Sequence, residues 1–198
     1  MIASVILSAG ASARMGTPKA NLKIGNTTFI NSILIKLHSC GTAGIYIVTG
    51  YHHRQISQAL DSINHCKILH NTNAEQGQLS SLQLAIRNFD RQITGMLVVL
   101  VDHPLVREDT YRELLKSARV NPQAIIIPVY QQQRGHPVYF GRKFFQALLE
   151  TPLNLGAREV IKKNIQSVYS LPVSDPGIVQ DIDTPDDLIK YRGDLAAS

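Results

Sequence analysis

The 198-residue sequence is poor in cysteine and has no long apolar run. Cys40 and Cys66 are too few and too isolated for a disulfide framework or a zinc site, so we interpret them as core thiols. No run approaches the roughly 20 apolar residues of a membrane-spanning helix. The apolar N-terminus lacks a basic leader and a cleavage site. These absences predict a cytoplasmic protein without a membrane partner.

Dense positive charge, internal repeats and low-complexity segments are also missing. The net charge is +5, and the Lys and Arg residues are spread along the chain rather than collected in a block. This distribution argues against a nucleic acid partner. A mildly basic protein attracts small anionic substrates by long-range electrostatics. The 44% hydrophobic content predicts a packed globule, and we expect a single domain over 1–198.

The apolar pattern alternates between two periods. Short apolar runs predict strands at 2–7, 45–48, 67–70, 96–101 and 124–129. Apolar residues at helical spacing predict helices near 29–37, 55–63, 79–89 and 108–119. Alternating strands and helices with short links indicate an α/β fold, a mostly parallel Rossmann-like three-layer sandwich. Two extended runs flanking a polar turn at 131–137 predict a small antiparallel excursion beside the main sheet.

A loop of small residues at 8–19 follows the first predicted strand. Gly10 and Gly16 tolerate positive φ, successive backbone N–H groups can surround an anion, and Arg14 and Lys19 add two cations. This combination favours a polyphosphate ligand. The alternative is a solvated glycine loop with two surface cations.

The spacing of this loop excludes two common phosphate-binding motifs. Five residues separate Gly10 from Gly16, and Lys19 comes three residues later, whereas a Walker loop has four residues between its glycines and then Lys-Ser/Thr. The Gly-x-Gly-x-x-Gly pattern of a dinucleotide fold is also missing, so hydride transfer loses its main support.

The stretch Leu-Ser-Ala-Gly-Ala-Ser-Ala-Arg-Met-Gly-Thr-Pro-Lys resembles the nucleotidyltransferases related to molybdenum cofactor cytidylyltransferases and guanylyltransferases. In that family this loop wraps the triphosphate of an incoming nucleotide. The resemblance therefore implies a nucleotide-diphospho-sugar transferase-like fold and a catalytic role for Arg14 and Lys19. The nucleotide-binding residues that it implies in this loop are Ser8, Ala9, Gly10, Arg14, Gly16 and Lys19.

A second nucleotide-binding segment precedes the helix predicted near 79–89. Polar and glycine residues at the start of a helix leave backbone N–H groups free for a ligand, although without further observations an ordinary N-cap is the better explanation. The family has a similar Asn…Gly-x-Ser-Ser-Leu segment that faces the base and sugar. The resemblance makes Gly77, Ser80 and Ser81 candidate nucleotide contacts.

Asp102 follows the most continuous apolar run, which predicts a central strand buried on both faces. Ligands of open α/β sheets bind at the carboxyl ends of strands, where an aspartate can hold a metal beside phosphates. The alternative is a cap for the helix near Glu108. The family carries Gly-Asp-x-Pro-Leu here, and the resemblance implies a catalytic, Mg²⁺-binding Asp102. Val101 and His103 depart from the family pattern, which leaves the shape of this metal loop open. His103 fits either a substrate contact or a satisfied loop histidine.

Two later segments resemble the acceptor side of the family site. Gly135 and His136 belong to a Gly-His-Pro-Val-x-Phe segment that composition alone would assign to a turn. Arg158 lies in a Gly-Ala-Arg segment at a predicted helix start, where it could hold an anionic acceptor or simply be a surface arginine. The resemblance implies that Gly135, His136 and Arg158 bind the acceptor.

The last acidic segment has two parts. Thr184 as N-cap, Pro185 at the first helical position and two aspartates in the first turn explain a helix start without catalysis. That explanation leaves Asp181 and Asp183 unused. In the family an Asp-Ile-Asp-Thr-Pro segment returns to the site, and the resemblance implies that Asp183 completes the metal shell.

The resemblance implies Mg²⁺-dependent transfer of a nucleotidyl group from an NTP to the phosphate of molybdopterin or molybdenum cofactor, releasing pyrophosphate. It also implies a molybdoenzyme as recipient of the product. CTP is favoured over GTP because Ala9 stands where guanylyltransferases usually carry paired glycines. Two alternatives stay open: a nucleotidyltransferase acting on a sugar phosphate or another small phosphate, and a non-catalytic nucleotide or molybdopterin carrier.

Overall fold

A computed structural model of the chain describes residues 1–60, 66–191 and 193. The bounds of the five predicted strands agree with those of the observed strands to within one or two residues. They are β1 (Ile2–Ser8), β2 (Lys23–Ile24), β3 (Thr27–Thr28), β4 (Ile45–Thr49), β5 (Cys66–His70), β6 (Gly95–Leu100), β7 (Ile125–Tyr130), β8 (Gln133–Arg134), β9 (Val138–Gly141) and β10 (Val168–Pro172).

The helices include all four that apolar spacing predicts. The helix predicted at 55–63 is observed as His53–Ala59, and residues 61–63 lie outside the described part of the chain. The helices are α1 (Phe29–Ser39), α2 (His53–Ala59), α3 (Gln78–Arg87), α4 (Glu108–Val120), α5 (Phe145–Glu150), α6 (Ala157–Lys163) and α7 (Pro185–Lys190).

The main sheet has the order β10-β7-β9-β6-β1-β4-β5, and β8 pairs with β7 off this path. The pairs β6–β1, β1–β4, β4–β5 and β10–β7 are parallel. Leu7 at the end of β1 is in register with Leu100 at the end of β6. The loops that leave these two strands therefore start at the same edge of the sheet, and the predicted mostly parallel α/β fold is confirmed.

The antiparallel segment is confirmed, but its position differs from the prediction. β9 does not lie beside the main sheet; it lies within it, antiparallel to both β6 and β7. The short β8 forms the excursion, by antiparallel pairing with β7. All four residues of β9 are buried, and its sequence Val-Tyr-Phe-Gly is apolar enough for that position.

Apolar side chains cover both faces of the sheet. Ile6 of β1 packs in one core with residues of α1 and α4, whereas its neighbours Val5 and Leu7 pack on the opposite face with residues of α3 and α5. Adjacent strand residues point to opposite faces, and burial of both neighbours produces the three-layer sandwich. In the regions covered by the structure, no helix is long and apolar enough to cross a membrane.

A candidate active site at the junction of two cavities

The loop after β1 is held by hydrogen bonds within itself and by His52, the N-cap of α2. Ser12 Oγ accepts a hydrogen bond from Lys19 N at 3.2 Å, and Ser12 O accepts one from Met15 N at 2.9 Å. His52 Nε2 lies 2.8 Å from Ala11 O. Gly16 has the expected positive φ of 65°, whereas the other left-handed residue of the loop is Ser12, with φ 50°, rather than Gly10. The loop therefore has a defined shape that fixes the backbone of Lys19.

The two predicted metal carboxylates are brought together by a backbone contact between distant segments. Ile182 N donates to Asp102 O at 2.8 Å, which holds the residue before Asp183 against the start of the loop after β6. Asp187 Oδ2, which accepts from Thr184 N in the capping box of α7, also accepts from Asp183 N at 3.0 Å. The predicted cap of α7 is thus present, and it also fixes the backbone of Asp183.

Two cations from the loop contact these carboxylates. Lys19 Nζ is 3.4 Å from Asp102 Oδ2 and hydrogen-bonds Asp183 Oδ1, and Arg14 donates to Asp183 Oδ2 at 2.8 Å. The hydrogen bond from Lys19 lowers the pKa of Asp183, and the charges of Lys19 and Arg14 add to this effect. Asp183 is therefore ionised at neutral pH and carries two positive neighbours.

Asp102 does not cap a helix, so the alternative interpretation of this residue is wrong. The N-cap of α4 is Arg107, whose backbone N donates to Asp175. Asp102 Oδ1 is buried and has no hydrogen-bond partner within the described residues, and His103 Nε2 is 4.0 Å from it. A buried carboxylate oxygen without a donor is costly, which makes it a candidate ligand for a cation.

The first cavity, of about 370 Å³, opens in front of the loop. Most of the residues predicted to bind the nucleotide line it, together with both carboxylates: Ser8, Ala9, Gly10, Arg14, Lys19, Gly77, Ser81, Asp102 and Asp183. Gly16 and Ser80 are not part of the lining. The assignment of these residues to nucleotide binding stays a prediction, but the cavity brings nearly all of them together.

Ser80 supports the start of α3 from behind. Its Oγ donates to Gly77 O at 2.7 Å and accepts from Asn71 Nδ2 at 2.8 Å. Asn71 Nδ2 also lies 2.9 Å from Ser81 Oγ. Gly77 is the N-cap of α3, with φ 91° and no side-chain capping bond. These contacts hold the helix start so that Gly77 and Ser81 face the first cavity.

The second cavity, of about 1270 Å³, contains the three residues predicted to bind the acceptor, Gly135, His136 and Arg158. Its wall includes apolar residues of β6, β9 and α3, and its rim carries Arg134 and Lys162. The two cavities share five lining residues: Leu7, Gln78, Leu100, Asp102 and Asp183. The carboxylate pair therefore stands where the two cavities meet.

His136 is partly buried in the wall of the second cavity. Its backbone N donates to Ile178 O at 2.9 Å, and its ring centre is 5.4 Å from that of His103. Burial, together with the nearby His103 and Arg158, lowers the pKa of His136 to about 4. The imidazole of His136 is therefore neutral at physiological pH.

Several residues of the site were not predicted from the sequence. Ser12 fixes Lys19, Gln78 lines both cavities, and Arg134 and Lys162 lie at the rim of the second cavity. The signal for Ser12 and Gln78 was present, because each lies within a segment already assigned to the nucleotide. Arg134 adjoins the predicted Gly135, whereas nothing in the local sequence distinguishes Lys162 from a surface lysine.

The pattern of the MobA-like NTP transferase domain matches residues 4–168. This chain belongs to that family. Its members are nucleotidyltransferases, which confirms the resemblance noted in the sequence and makes the chain an enzyme of that class. The Escherichia coli K12 molybdenum cofactor cytidylyltransferase is 27% identical to the MobA-like chain over 189 residues, 95% of this chain and 94% of the relative.

Solved structures share the fold of this chain. Rv0371c from Mycobacterium tuberculosis H37Rv has a TM-score of 0.85 and 27% identity, over 100% of this chain and 97% of that one. A complex of Rv0371C with manganese has a TM-score of 0.81 over 100% and 99% of the two chains. At 24% identity, this second similarity supports only the fold of the MobA-like chain, not its activity.

Proposed function

We propose that this MobA-like nucleotidyltransferase transfers CMP from CTP to the phosphate of molybdenum cofactor, releases pyrophosphate and requires Mg²⁺. The observation that carries the proposal is the junction of the two cavities at Asp102 and Asp183. A nucleotide in the first cavity and an acceptor in the second would present their reacting phosphates to the same carboxylate pair.

The first cavity suits the triphosphate of a nucleotide. Lys19 is held at the cavity wall by its backbone contact with Ser12, and Arg14 reaches the same region from a more exposed position. Cations at this place stabilise the charge that moves onto pyrophosphate as it leaves. CTP is the proposed nucleotide because Ala9 interrupts the paired glycines of the guanylyltransferases and the Escherichia coli relative is a cytidylyltransferase.

The carboxylate pair fits a magnesium ion. Asp102 offers a buried oxygen without a donor, and Asp183 is ionised because of its positive neighbours. The described part of the chain contains no cluster of three or more metal-ligating side chains, so nucleotide phosphates and water would complete the shell. Mg²⁺ in nucleotide sites is commonly held by one or two carboxylates plus phosphates. The manganese complex of Rv0371C is consistent with a divalent ion. When bound, Mg²⁺ would supply electrostatic stabilisation of phosphate charge.

The second cavity would hold the acceptor. A phosphate oxygen of the acceptor forms a bond to the α-phosphorus of CTP, and the bond from that phosphorus to the bridging oxygen breaks with its electron pair going to pyrophosphate. An ionised phosphate needs no general base. The neutral, partly buried His136 is then a binding group rather than a proton acceptor. Arg158 and Arg134 at the cavity would attract an anionic acceptor.

The test is pyrophosphate release by the purified chain with Mg²⁺ and each of CTP, GTP, UTP and ATP. Each nucleotide is offered with molybdenum cofactor, with a hexose 1-phosphate, or without acceptor. We expect release with CTP that depends on the cofactor. Release that depends on the hexose phosphate would refute the proposed acceptor, and faster release with GTP would refute the proposed nucleotide.

A pair of matched variants connects the activity to the cavity junction. Asp102→Asn removes the carboxylate charge while nearly preserving shape, and Asp109→Asn makes the same change at an exposed position in the first turn of α4. We expect Asp102→Asn to lose at least about 100-fold in turnover, the scale of lost transition-state electrostatics. Asp109→Asn keeps wild-type turnover. Equal rates for the two variants would exclude Asp102 from the reaction.

A further inference from the structure

Asp175 is a buried carboxylate that the proposed reaction does not use. Its side chain is 3% exposed, and it lies in the segment between β10 and α7. Burial of an ionised carboxylate is unfavourable unless cations and hydrogen-bond donors surround it. The contacts of Asp175 therefore indicate what this residue holds together.

The two oxygens of Asp175 contact different parts of the chain. Oδ2 accepts from Arg107 N at 2.8 Å and from Thr110 Oγ1 at 2.6 Å, both at the start of α4. Oδ1 accepts from Gly177 N at 2.9 Å. The Arg107 guanidinium compensates the charge, with Nε 3.5 Å from Oδ1. One carboxylate thus joins the helix after the Asp102 loop to the segment that leads to Asp183.

The segment held by Asp175 reaches both halves of the site. Ile178 O accepts from the backbone N of His136 at 2.9 Å, on the acceptor side. Ile182 N donates to Asp102 O at 2.8 Å, on the metal side. Gly177 packs so closely on the Asp102 loop that a Cβ there would collide with Leu105 O. A shift at Gly177 would therefore move both the contact with His136 and the contact with Asp102.

Lys36 fixes the same loop from its other side. This lysine of α1 donates through Nζ to Pro104 O at 2.8 Å and to Val106 O at 3.0 Å. Burial lowers the pKa of Lys36, while Asp175 and Glu108 attract its positive charge and oppose that effect. The loop that carries Asp102 is thus held between α1 and the segment that Asp175 anchors.

We propose that Asp175 is a positioning residue that holds the segment of Gly135 and His136 and the carboxylate pair in a common arrangement through its bond to Gly177. This inference rests on the proposed function, because it assigns Asp102 and Asp183 to metal and His136 to acceptor. The nucleotide loop at 8–19 is supported independently by Ser12 and His52. Loss of the hydrogen bond between Gly177 and Asp175 therefore weakens metal and acceptor binding more than nucleotide binding.

The substitution Asp175→Asn breaks the hydrogen bond from Gly177 while it can keep the two hydrogen bonds from the start of α4. The amide oxygen can keep the two donors of α4, Arg107 N and Thr110 Oγ1, while the amide NH₂ then meets the N–H of Gly177. Two donors facing each other break this contact. Thr110→Val is the matched control, because it removes one hydrogen bond to the same carboxylate and leaves Gly177 tethered.

The experiment compares wild type, Asp175→Asn and Thr110→Val in three measurements. Isothermal titration follows Mn²⁺ binding without nucleotide and CTP binding in EDTA, and steady-state kinetics give kcat and the KM of the acceptor. For Asp175→Asn we expect Mn²⁺ affinity to fall and acceptor KM to rise by about tenfold, the scale of outer-shell effects on metal sites. CTP affinity in EDTA stays within about twofold, and Thr110→Val keeps the wild-type values for Mn²⁺ and acceptor.

The outcomes separate this inference from the proposed function. Inactive wild type with altered Mn²⁺ binding in Asp175→Asn would retain the positioning role and reject the proposed reaction. Unchanged Mn²⁺ affinity and acceptor KM in a folded Asp175→Asn would overturn the positioning role. If that variant does not fold, Gly177→Ala displaces the same segment while Asp175 stays in place, and an unchanged metal affinity there would equally overturn it.

Discussion

Replacing Lys19 by methionine should affect metal binding and turnover in opposite directions. Lys19 Nζ contacts both Asp102 and Asp183, and its side chain is only 14% exposed. The ammonium thus occupies the carboxylate pair that we assign to Mg²⁺. Methionine has a similar length and no charge, and the bond from the backbone of residue 19 to Ser12 does not depend on the side chain. The variant therefore removes a competing cation without removing the loop.

The size of the effect follows from the contacts. Unit charges 3.4 Å apart attract by about 5 kcal/mol at an effective dielectric constant of 20. Solvation of these partly exposed groups reduces the net value to about 1 kcal/mol. This corresponds to metal binding about 5 times tighter in the nucleotide-free variant. Turnover falls instead by at least about 100-fold, because the leaving pyrophosphate loses a cation.

Titration of Mn²⁺ without nucleotide and pyrophosphate release with CTP and acceptor measure the two effects. Lys23→Met is the control, because Lys23 is an exposed lysine of β2 close to Lys19 in sequence. Its replacement removes the same charge from the chain. The control distinguishes a local effect of Lys19 from a change in overall charge.

Metal binding that is unchanged or weaker in Lys19→Met would refute the idea that the ammonium and the metal share the carboxylates. Turnover within about threefold of wild type would refute the role of Lys19 on the triphosphate, since that loss is far below the effect expected for a catalytic charge. Each arm thus fails independently of the other.

Two further predictions concern pH. The pKa of Asp183 is lowered from its ordinary 3.8, so its carboxylate stabilises the fold above that pH and loses this effect as the pH falls through the lower, folded value. In urea unfolding, the free energy of unfolding of wild type should exceed that of Asp183→Asn by up to about 1 kcal/mol at pH 6. This difference should shrink toward pH 2.5, and a difference that stays constant with pH would contradict the reasoning. Burial lowers the pKa of His136 from 6.5 to about 4, so the unfolded chain takes up this proton first and stability falls between pH 6.5 and pH 4. His136→Asn should remove up to about 3 kcal/mol of this acid sensitivity, and a His136 NMR titration midpoint near 6.5 would contradict the reasoning.

The order of strands and helices could be predicted from the sequence because apolar periodicity encodes it locally. The run at 96–101 is buried on both faces and becomes the central β6, and the capping pattern at Thr184 starts α7. The position of β9 could not be predicted in this way. Its insertion between β6 and β7 depends on pairing with strands distant in sequence, and local pattern carries no register for such pairs.

The candidate site was predictable where a residue lies at the end of a strand. Lys19 and Asp102 follow the parallel β1 and β6, whose ends are in register, and the fold brings them to the same edge. Asp183 required the family resemblance, because the start of α7 accounts for its neighbours and its place beside Asp102 depends on contacts between segments far apart in sequence, such as that from Ile182 N to Asp102 O. Asp175 gave no signal, since an aspartate before Pro-Gly looks like an ordinary turn residue.

The arrangement also explains why the carboxylate pair needs a cation before any ligand binds. Asp102 and Asp183 are fixed by backbone contacts that do not depend on their charges, so they cannot move apart to reduce repulsion. Lys19 and Arg14 balance that charge in the free chain, and both come from the loop that faces the nucleotide cavity. A divalent ion that takes over the carboxylates would free both cations for phosphate, so metal and nucleotide should each strengthen the binding of the other.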